Sequence, residues 1–435
     1  MSALERTERI AIVGSGISGL ACAYYLHRDA RNLCDIHVFE AESKIGGHTA
    51  TVDVNVGGRH YAIDTGFIVY NDWTYPNFIK LLDELNVATQ PTRMSFSVSD
   101  TQTGLEWAGS SLDTLFAQRS NLFSPRFLGM VKDILRFNKH AVADLESGSI
   151  GEDMTLGEYL RFNGYGDAFI EQYLVPMGSA IWSADTQAMQ DFPLQFFVRF
   201  FRNHGLLSIK NRPQWRVIAG GSREYLAPLT QGFRNNIHTN MAVASVQRLS
   251  EGVRLGFRDG SQQQFDRVVF ACHSDQAHRL LTDASDTETS VLGAMRYQSN
   301  EVVLHTDIRL LPQERKTWSA WNYLLTNHSQ RAVLTYNMNI LQSIASKETF
   351  CVTLNHTDAI NPHKILGRFN YSHPVFSLEQ VAAQERWSEV NSDRTWFCGA
   401  YWHNGFHEDG VRSALRVAEA IQRQLGTTRA LVSAA

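Results

Sequence analysis

"RIAIVGSGISG", residues 9–19, runs from an unbroken apolar segment (Ile10, Ala11, Ile12, Val13) into three glycines, Gly14, Gly16 and Gly19, at GxGxxG spacing. A continuous apolar run ended by glycine reads as a strand buried on both faces. "ISGLACAYYLHRD", residues 17–29, continues with apolar residues at helical spacing, so the unit is strand–turn–helix. Such glycines permit a tight turn, close backbone approach to a pyrophosphate and close helix–strand packing. The helix N-terminus, at Ser15, Ile17 and Ser18, offers free amides and the positive end of its dipole. Glu40 ends the second strand, "DIHVFEAE" at 35–42, with Ala41 beside it. A carboxylate at that offset accepts hydrogen bonds from a ribose diol. It also repels a ribose 2′-phosphate, which leaves NAD or FAD rather than NADP.

The totals bound the rest. A chain of 435 residues can bury two domains' worth of core. A net charge of −4 gives no electrostatic case for nucleic acid as a partner. The five cysteines (Cys22, Cys34, Cys272, Cys351, Cys398) form no CxxC pair or zinc spacing, so no metal site or disulfide framework is expected. They suit a reducing cytoplasm. The short charged leader before residue 9 leaves no room for a signal peptide, and no run reaches the ~18 apolar residues of a membrane span. A cytoplasmic protein is expected, with peripheral contact at the inner membrane an open alternative.

Nucleotide-binding patterns recur at both ends of the chain. "FDRVVFACH" (265–273) and "TWFCGAYW" (395–402) read as further buried strands, followed by a closing helix, "GVRSALRVAEAIQRQL" (410–425). The expected architecture is α/β: a discontinuous Rossmann-like FAD-binding domain (1–95, 206–275, 391–435) with an inserted α+β substrate domain (96–205, 276–390).

The segment "FEAESKIGGHTATVDV", residues 39–54, adds a second glycine pair, Gly46–Gly47, six residues after Glu40. With it the chain resembles the flavin-containing amine oxidase superfamily, of the glutathione-reductase-2 type of fold. That group wraps the far side of the FAD pyrophosphate with a second glycine turn, usually GG-Arg. Gly46, Gly47 and Thr49 match, and His48 stands where arginine is usual. Other blocks agree in order. "IDTGFIVYN" (63–71) resembles the D-x-G stretch near the isoalloxazine ring, which implies a place there for Thr65, Gly66 and Phe67. "VIAGGSREYLAPL" (217–229) resembles a mid-chain glycine-pair helix start, and "NMAVASV" (240–246) the strand whose backbone at Val243 clasps adenine. "WFCGAYWHNGFHEDGVRSALRVAEAI" (396–421) resembles the C-terminal flavin block; there Gly399 lies beside the cofactor, and Gly410 and Val411 present amides at a helix start to the pyrimidine edge of the flavin. The resemblance implies FAD. No cysteine sits in an attachment motif, so the cofactor is expected to be non-covalent.

The departures point away from amine oxidation. The strand "YQSNEVVLHTDIRLLP" (297–312) carries no lysine, which many amine oxidases place beside the flavin, and Ala400 follows Gly399 where the family has glutamate. "FPLQFFVRFFRNHGLL" (192–207) sets Phe192, Phe196, Phe197, Phe200 and Phe201 at helical spacing, either a core helix or the wall of an acyl tunnel. "SPRFLGMVKDILRFNKH" (124–140) is an amphipathic helix capped by Ser124, with Phe127, Leu128, Val131, Ile134 and Leu135 expected on one face. Its lysines and arginines leave a solvated face or a membrane contact open. "SAIWSAD", "FFRNHGLL", "YSHPVF" and "GFHEDG" resemble a bacterial subgroup encoded beside cyclopropane-fatty-acid synthase-like methyltransferases. That implies an apolar or lipid substrate and a lipid-modifying methyltransferase partner. The expected activity is hydride transfer that desaturates a fatty-acyl chain or isomerises its double bond. Amine oxidation, or a non-catalytic flavoprotein partner, are the alternatives. Candidate catalytic residues are His407, Glu408 and Tyr70; His204 and His356 read as structural.

Overall fold

A computed structural model describes residues 7–326, 331–391 and 393–434, with side chains through residue 426. The apolar run at 10–13 becomes β1 (Glu8–Val13), and the glycine turn opens α1 (Ile17–Ala30), as the sequence reading expects. β1 lies inside a five-stranded parallel sheet. Its neighbours are β2 (Cys34–Phe39) and the strand Arg267–Phe270; Ile237–His238 and Thr395–Phe397 form the two edges. Ile10, Ala11, Ile12, Val268 and Val269 are wholly buried, as strands covered on both faces require. The meander expected after residue 240 forms a separate sheet from Val243–Arg248, Val253–Phe257 and Gln262–Phe265.

A second large sheet has seven strands. Its order is Ile365–Pro374, Tyr297–His305, Cys351–Leu354, Leu334–Asn337, Trp321–Leu325, Phe96–Asp100, Glu106–Ala108. The helices Pro125–Ser147 and Leu194–Asn203 share a core with it, centred on Phe137, Phe169, Trp182, Phe197 and Phe201 and reaching Tyr323 and Leu334. Ser124 caps the first of these helices by accepting from Phe127 N at 3.3 Å. Its faces differ from the expected division: Phe127, Met130, Phe137 and Ala141 are buried, whereas Leu128 and Leu135 are 43% and 51% exposed. The latter pair shares a stripe with Lys132 and Lys139, because steps of three and four residues return to one side.

The closing helix begins at His407, three residues before the expected start. Asp409 reaches back to accept from Phe406 N (2.9 Å), so the first turn is capped from within. Among the described residues, no helix is long and apolar enough to cross a membrane.

Candidate active site

The three glycines of the first turn serve different ends. A Cβ on Gly14 would lie 2.7 Å from the Ala271 carbonyl oxygen, and one on Gly19 2.1 Å from that of Gly14. Both are required by the chain's own packing. A Cβ on Gly16 would meet nothing within 4 Å, so the space above it is left for something else. The second turn is seated on the first: Gly46 N donates to Ser15 O (3.0 Å), and a Cβ on Gly47 would stand 3.2 Å from Gly16 Cα. Glu40 accepts from Ser15 N at 3.0 Å and Glu42 N at 2.9 Å, which holds the turn to the end of β2. The chain before Val243 crosses here, as Met241 N donates to Glu40 O (2.8 Å).

The hairpin of β3 (Thr51–Val56) and β4 (Arg59–Asp64) carries the next block to the site. Asp64, wholly buried, accepts from Thr51 Oγ1 (2.6 Å), Ser222 N (2.9 Å), Ser222 Oγ (2.9 Å) and Gln342 Nε2 (3.2 Å). Burial pushes its carboxyl up to about 6 against those donors. The D-x-G aspartate is thus the clamp joining the hairpin, the Gly220–Gly221 turn and Gln342. Thr65 Oγ1 meets Tyr371 OH at 2.9 Å, and Phe67 N donates to His48 O (2.7 Å).

The structure also assembles a group that local spacing does not reveal. The ring of His48 lies 5.5 Å from His373, 6.0 Å from His273 and 5.2 Å from Tyr371. His273 stacks on Tyr297 at 4.1 Å. Asn300 Nδ2 donates to His373 Nδ1 (3.1 Å), and its Oδ1 accepts from Asn355 (2.8 Å). Burial, with the neighbouring imidazoles second, holds His48 down to about 3; burial holds His373 to about 4. The one sequence signal for this group was "CHSD" directly after a buried parallel strand, since residues past the carboxyl ends of such strands face the ligand crevice.

The sequence pattern of the flavin-containing amine oxidoreductases matches residues 17–350. The chain belongs to that family. Solved structures agree on the fold. Cyclohexylamine oxidase from Brevibacterium oxydans IH-35A superposes with a TM-score of 0.67 at 16% identity, covering 97% of this chain and 100% of that one. A CLA-producing fatty acid isomerase from P. acnes gives 0.65 at 15%, covering 97% and 99%. Putrescine oxidase bound to putrescine gives 0.63 at 15%, covering 96% and 99%. No curated protein matches the chain by sequence.

Membership brings a flavin cofactor, and the residues fit a dinucleotide. The α1 N-terminus has no capping side chain and no acidic residue in its first turn, and it opens onto the free space at Gly16. Not every expected contact survives. The Gly410 amide already donates to Phe406 O (3.0 Å), because the helix starts earlier, and Val411 is wholly buried in the core. Gly410 instead lets the closing helix lie on α1, where a Cβ would come 2.8 Å from Ile17 Cγ2. Gly399 N is likewise engaged, donating to Ser413 Oγ (3.0 Å).

The flavin oxidoreductase also gives its three catalytic candidates other work. His407 stacks on Phe67 at 3.6 Å, its Nε2 within 3.1 Å of both Thr49 Oγ1 and Tyr225 OH, and burial keeps it neutral. Glu408 accepts from Asn77 Nδ2 (2.6 Å) and from Asn77 N (3.2 Å) and Phe78 N (2.9 Å) in the first turn of α2 (Pro76–Glu84). It caps that helix across 330 residues of sequence. Tyr70 is a core residue packed on Phe78. Beside Glu408 opens a cleft of about 420 Å³, lined by Trp73, Phe200, His204, Phe406, Asp409 and Arg412. His204 is structural, its Nδ1 on Phe200 O at 2.9 Å.

Proposed function

We propose that this flavin oxidoreductase holds FAD non-covalently and takes a hydride from an apolar acyl chain, desaturating it or isomerising a double bond. One observation carries the choice of substrate: a continuous aromatic wall. Trp182 packs on Phe200 (4.7 Å), Phe196 on Phe376 (4.8 Å) and Phe200 on Phe406 (5.2 Å), the residue before His407. The phenylalanine helix is core, Phe200 included, and this aromatic wall meets open space where Phe200 and Phe406 line the cleft beside Glu408. A surface of that kind orients a hydrocarbon by shape and excludes water, which is the protein's share of hydride chemistry. The strand Tyr297–His305 offers the buried amide of Asn300 in place of a cation. When bound, the flavin supplies the hydride acceptor.

Non-covalent binding is supported by the thiols of Cys272 and Cys398, both pushed up to about 12 chiefly by burial. Glu40 and the second glycine turn support an adenine dinucleotide. The exposed tip of Leu122, Phe123 (85% exposed) and Leu128 favours peripheral contact with a lipid surface, from which an acyl substrate or a lipid-modifying methyltransferase would be reached.

The test is anaerobic addition of unsaturated fatty acids, phospholipids and primary amines to the oxidised holoprotein while the flavin spectrum is followed. Bleaching by the acyl compounds is expected. Bleaching by amines alone, with peroxide on admitting air, would replace this reading by amine oxidation. Formation of an isomerised acyl product without lasting bleaching is the isomerase outcome, since the hydride returns to the chain; a flavin that no compound bleaches, with no isomerised product formed, would favour the non-catalytic partner.

A further inference from the structure

We infer that the acyl substrate carries a single negative charge at its head, and that Arg412, lining the cleft beside Glu408, receives it. The inference rests on the acyl reading of the site and narrows the substrate to chains with a carboxylate or phosphodiester head.

The cleft has two characters. Trp73, Phe200 and Phe406 give it an apolar side, where Trp73 stays 49% exposed. From Phe406 and Phe200 the aromatic wall runs on to Trp182. Glu408, Asp409 and Arg412, from the first two turns of the closing helix, give it a polar side. Its volume of about 420 Å³ lies in the range of small-molecule sites.

A count of charges decides the head. Two carboxylates and one guanidinium line the cleft, which at first sight suits an ammonium. The carboxylates, however, are engaged. Glu408 is buried and accepts three hydrogen bonds from Asn77 and Phe78. Asp409 is buried and accepts from Phe406 N (2.9 Å); burial pushes its carboxyl up to about 7, so much of it is uncharged near neutrality. His204 is neutral, held down to about 4 by burial. Arg412 is exposed to the cleft, and among the described residues no ion pair includes it.

Its field is also uncompensated. Arg416 follows one turn later on the same face, stacked over Trp387 at 3.7 Å, and like charges at that spacing oppose each other. His403 lies near both: its Nε2 is buried without a partner, and burial first, then the two guanidiniums, hold it down to about 4. A guanidinium presents a planar pair of donors that one carboxylate or phosphate accepts through two parallel bonds. A monoanionic head on Arg412 therefore completes the polar side, while the chain lies on Phe406 and Phe200.

The experiment measures binding to the holoprotein by calorimetry at about pH 6, a unit below the Asp409 value. Four probes share one chain: dodecanoate, dodecanoyl-lysophosphatidylglycerol, dodecanol and dodecylamine. At least one anion should bind about tenfold or more tightly than dodecanol, and the tighter of the two identifies the source of the head as free fatty acid or phospholipid. Arg412→Gln should weaken that anion by about tenfold and remove its advantage over dodecanol. Arg412→Glu should turn the preference to dodecylamine. Both variants alter an exposed side chain, and melting curves check that they fold. Unchanged binding of both anions by Arg412→Gln, or tighter binding of dodecylamine than of either anion by the unaltered protein, overturns the inference. The acyl reading survives that result if unsaturated acyl compounds still bleach the flavin or are isomerised. A holoprotein that binds none of the four probes and reacts with no acyl compound overturns both.

Discussion

Gly16→Ala separates binding from folding. The backbone there has φ −67° and ψ 178°, a conformation alanine adopts without strain, and its new methyl would touch no atom of the chain. Stability should hold or rise by about 0.4–1 kcal/mol, since alanine restricts the unfolded chain more than glycine does. The methyl does, however, project into the space at the free helix N-terminus. A phosphate displaced from there forfeits about two charge-assisted hydrogen bonds at roughly 1.5–3 kcal/mol each. That amounts to about 3–6 kcal/mol, or on the order of 10²–10⁴-fold in Kd. The assay pairs urea unfolding with fluorescence titration of FAD. Gly19→Ala is the control: its methyl would fall 2.1 Å from the Gly14 carbonyl oxygen, so stability should drop by about 1–3 kcal/mol or more. If Gly16→Ala kept its full FAD affinity, or lost it together with the fold, the assignment of that space would be wrong.

Glu408→Gln should lower stability by about 1.5–3 kcal/mol through the weakened cap on α2. Flavin reduction should stay within about threefold at the same time; a large rate loss at an unchanged unfolding midpoint would make Glu408 catalytic. Asp64, whose folded pKa is raised from 3.8 to about 6, contributes stability present below the unfolded value and lost as pH rises through the folded one. The margin of the unaltered protein over Asp64→Asn should therefore shrink by about 2 kcal/mol between pH 4 and 7, as measured by urea unfolding; a margin that stays constant would contradict the shift. Phe123→Ser with Leu128→Ser should weaken sedimentation with anionic vesicles by about tenfold or more, given roughly 1.5–3 kcal/mol for a buried large apolar side chain. Equal binding by the double variant would remove the membrane contact.

What was legible in the sequence was local. The β1–turn–α1 unit, Glu40 and the glycine pair at 46–47 lie within forty residues and use the special properties of glycine, so pattern alone places them. The closing helix starts one turn before the point the sequence reading gives, because its start depends on Asp409 folding back to Phe406, which competes with the glycine as a boundary signal. Glu408 is a catalytic candidate in the sequence because its block resembles the family's C-terminal flavin block; its partners, Asn77 and Phe78, are on another helix and carry no local signal. The histidine group could not be seen for the same reason. Its members stand at 48, 273 and 373, and only the register of two different sheets brings them together.

The order of strands in the parallel sheet also sets a timetable for synthesis. β1 and β2 leave the ribosome early, but the strand that covers the other side of β1 begins at Arg267, the partner of Ile10, and the outer edge at Thr395. At about 5–20 residues per second, the Ile10–Val13 edge of β1 stays unpaired for roughly ten seconds or more. During that interval the nascent chain carries a sticky strand edge of the kind that invites aggregation. The phosphate cradle, although encoded almost entirely in the first fifty residues, is braced only when the last strand and the closing helix arrive. If FAD binds at these turns as proposed, its loading is a late event in the life of each molecule, and soluble yield should depend on how well the cell shelters the unfinished sheet.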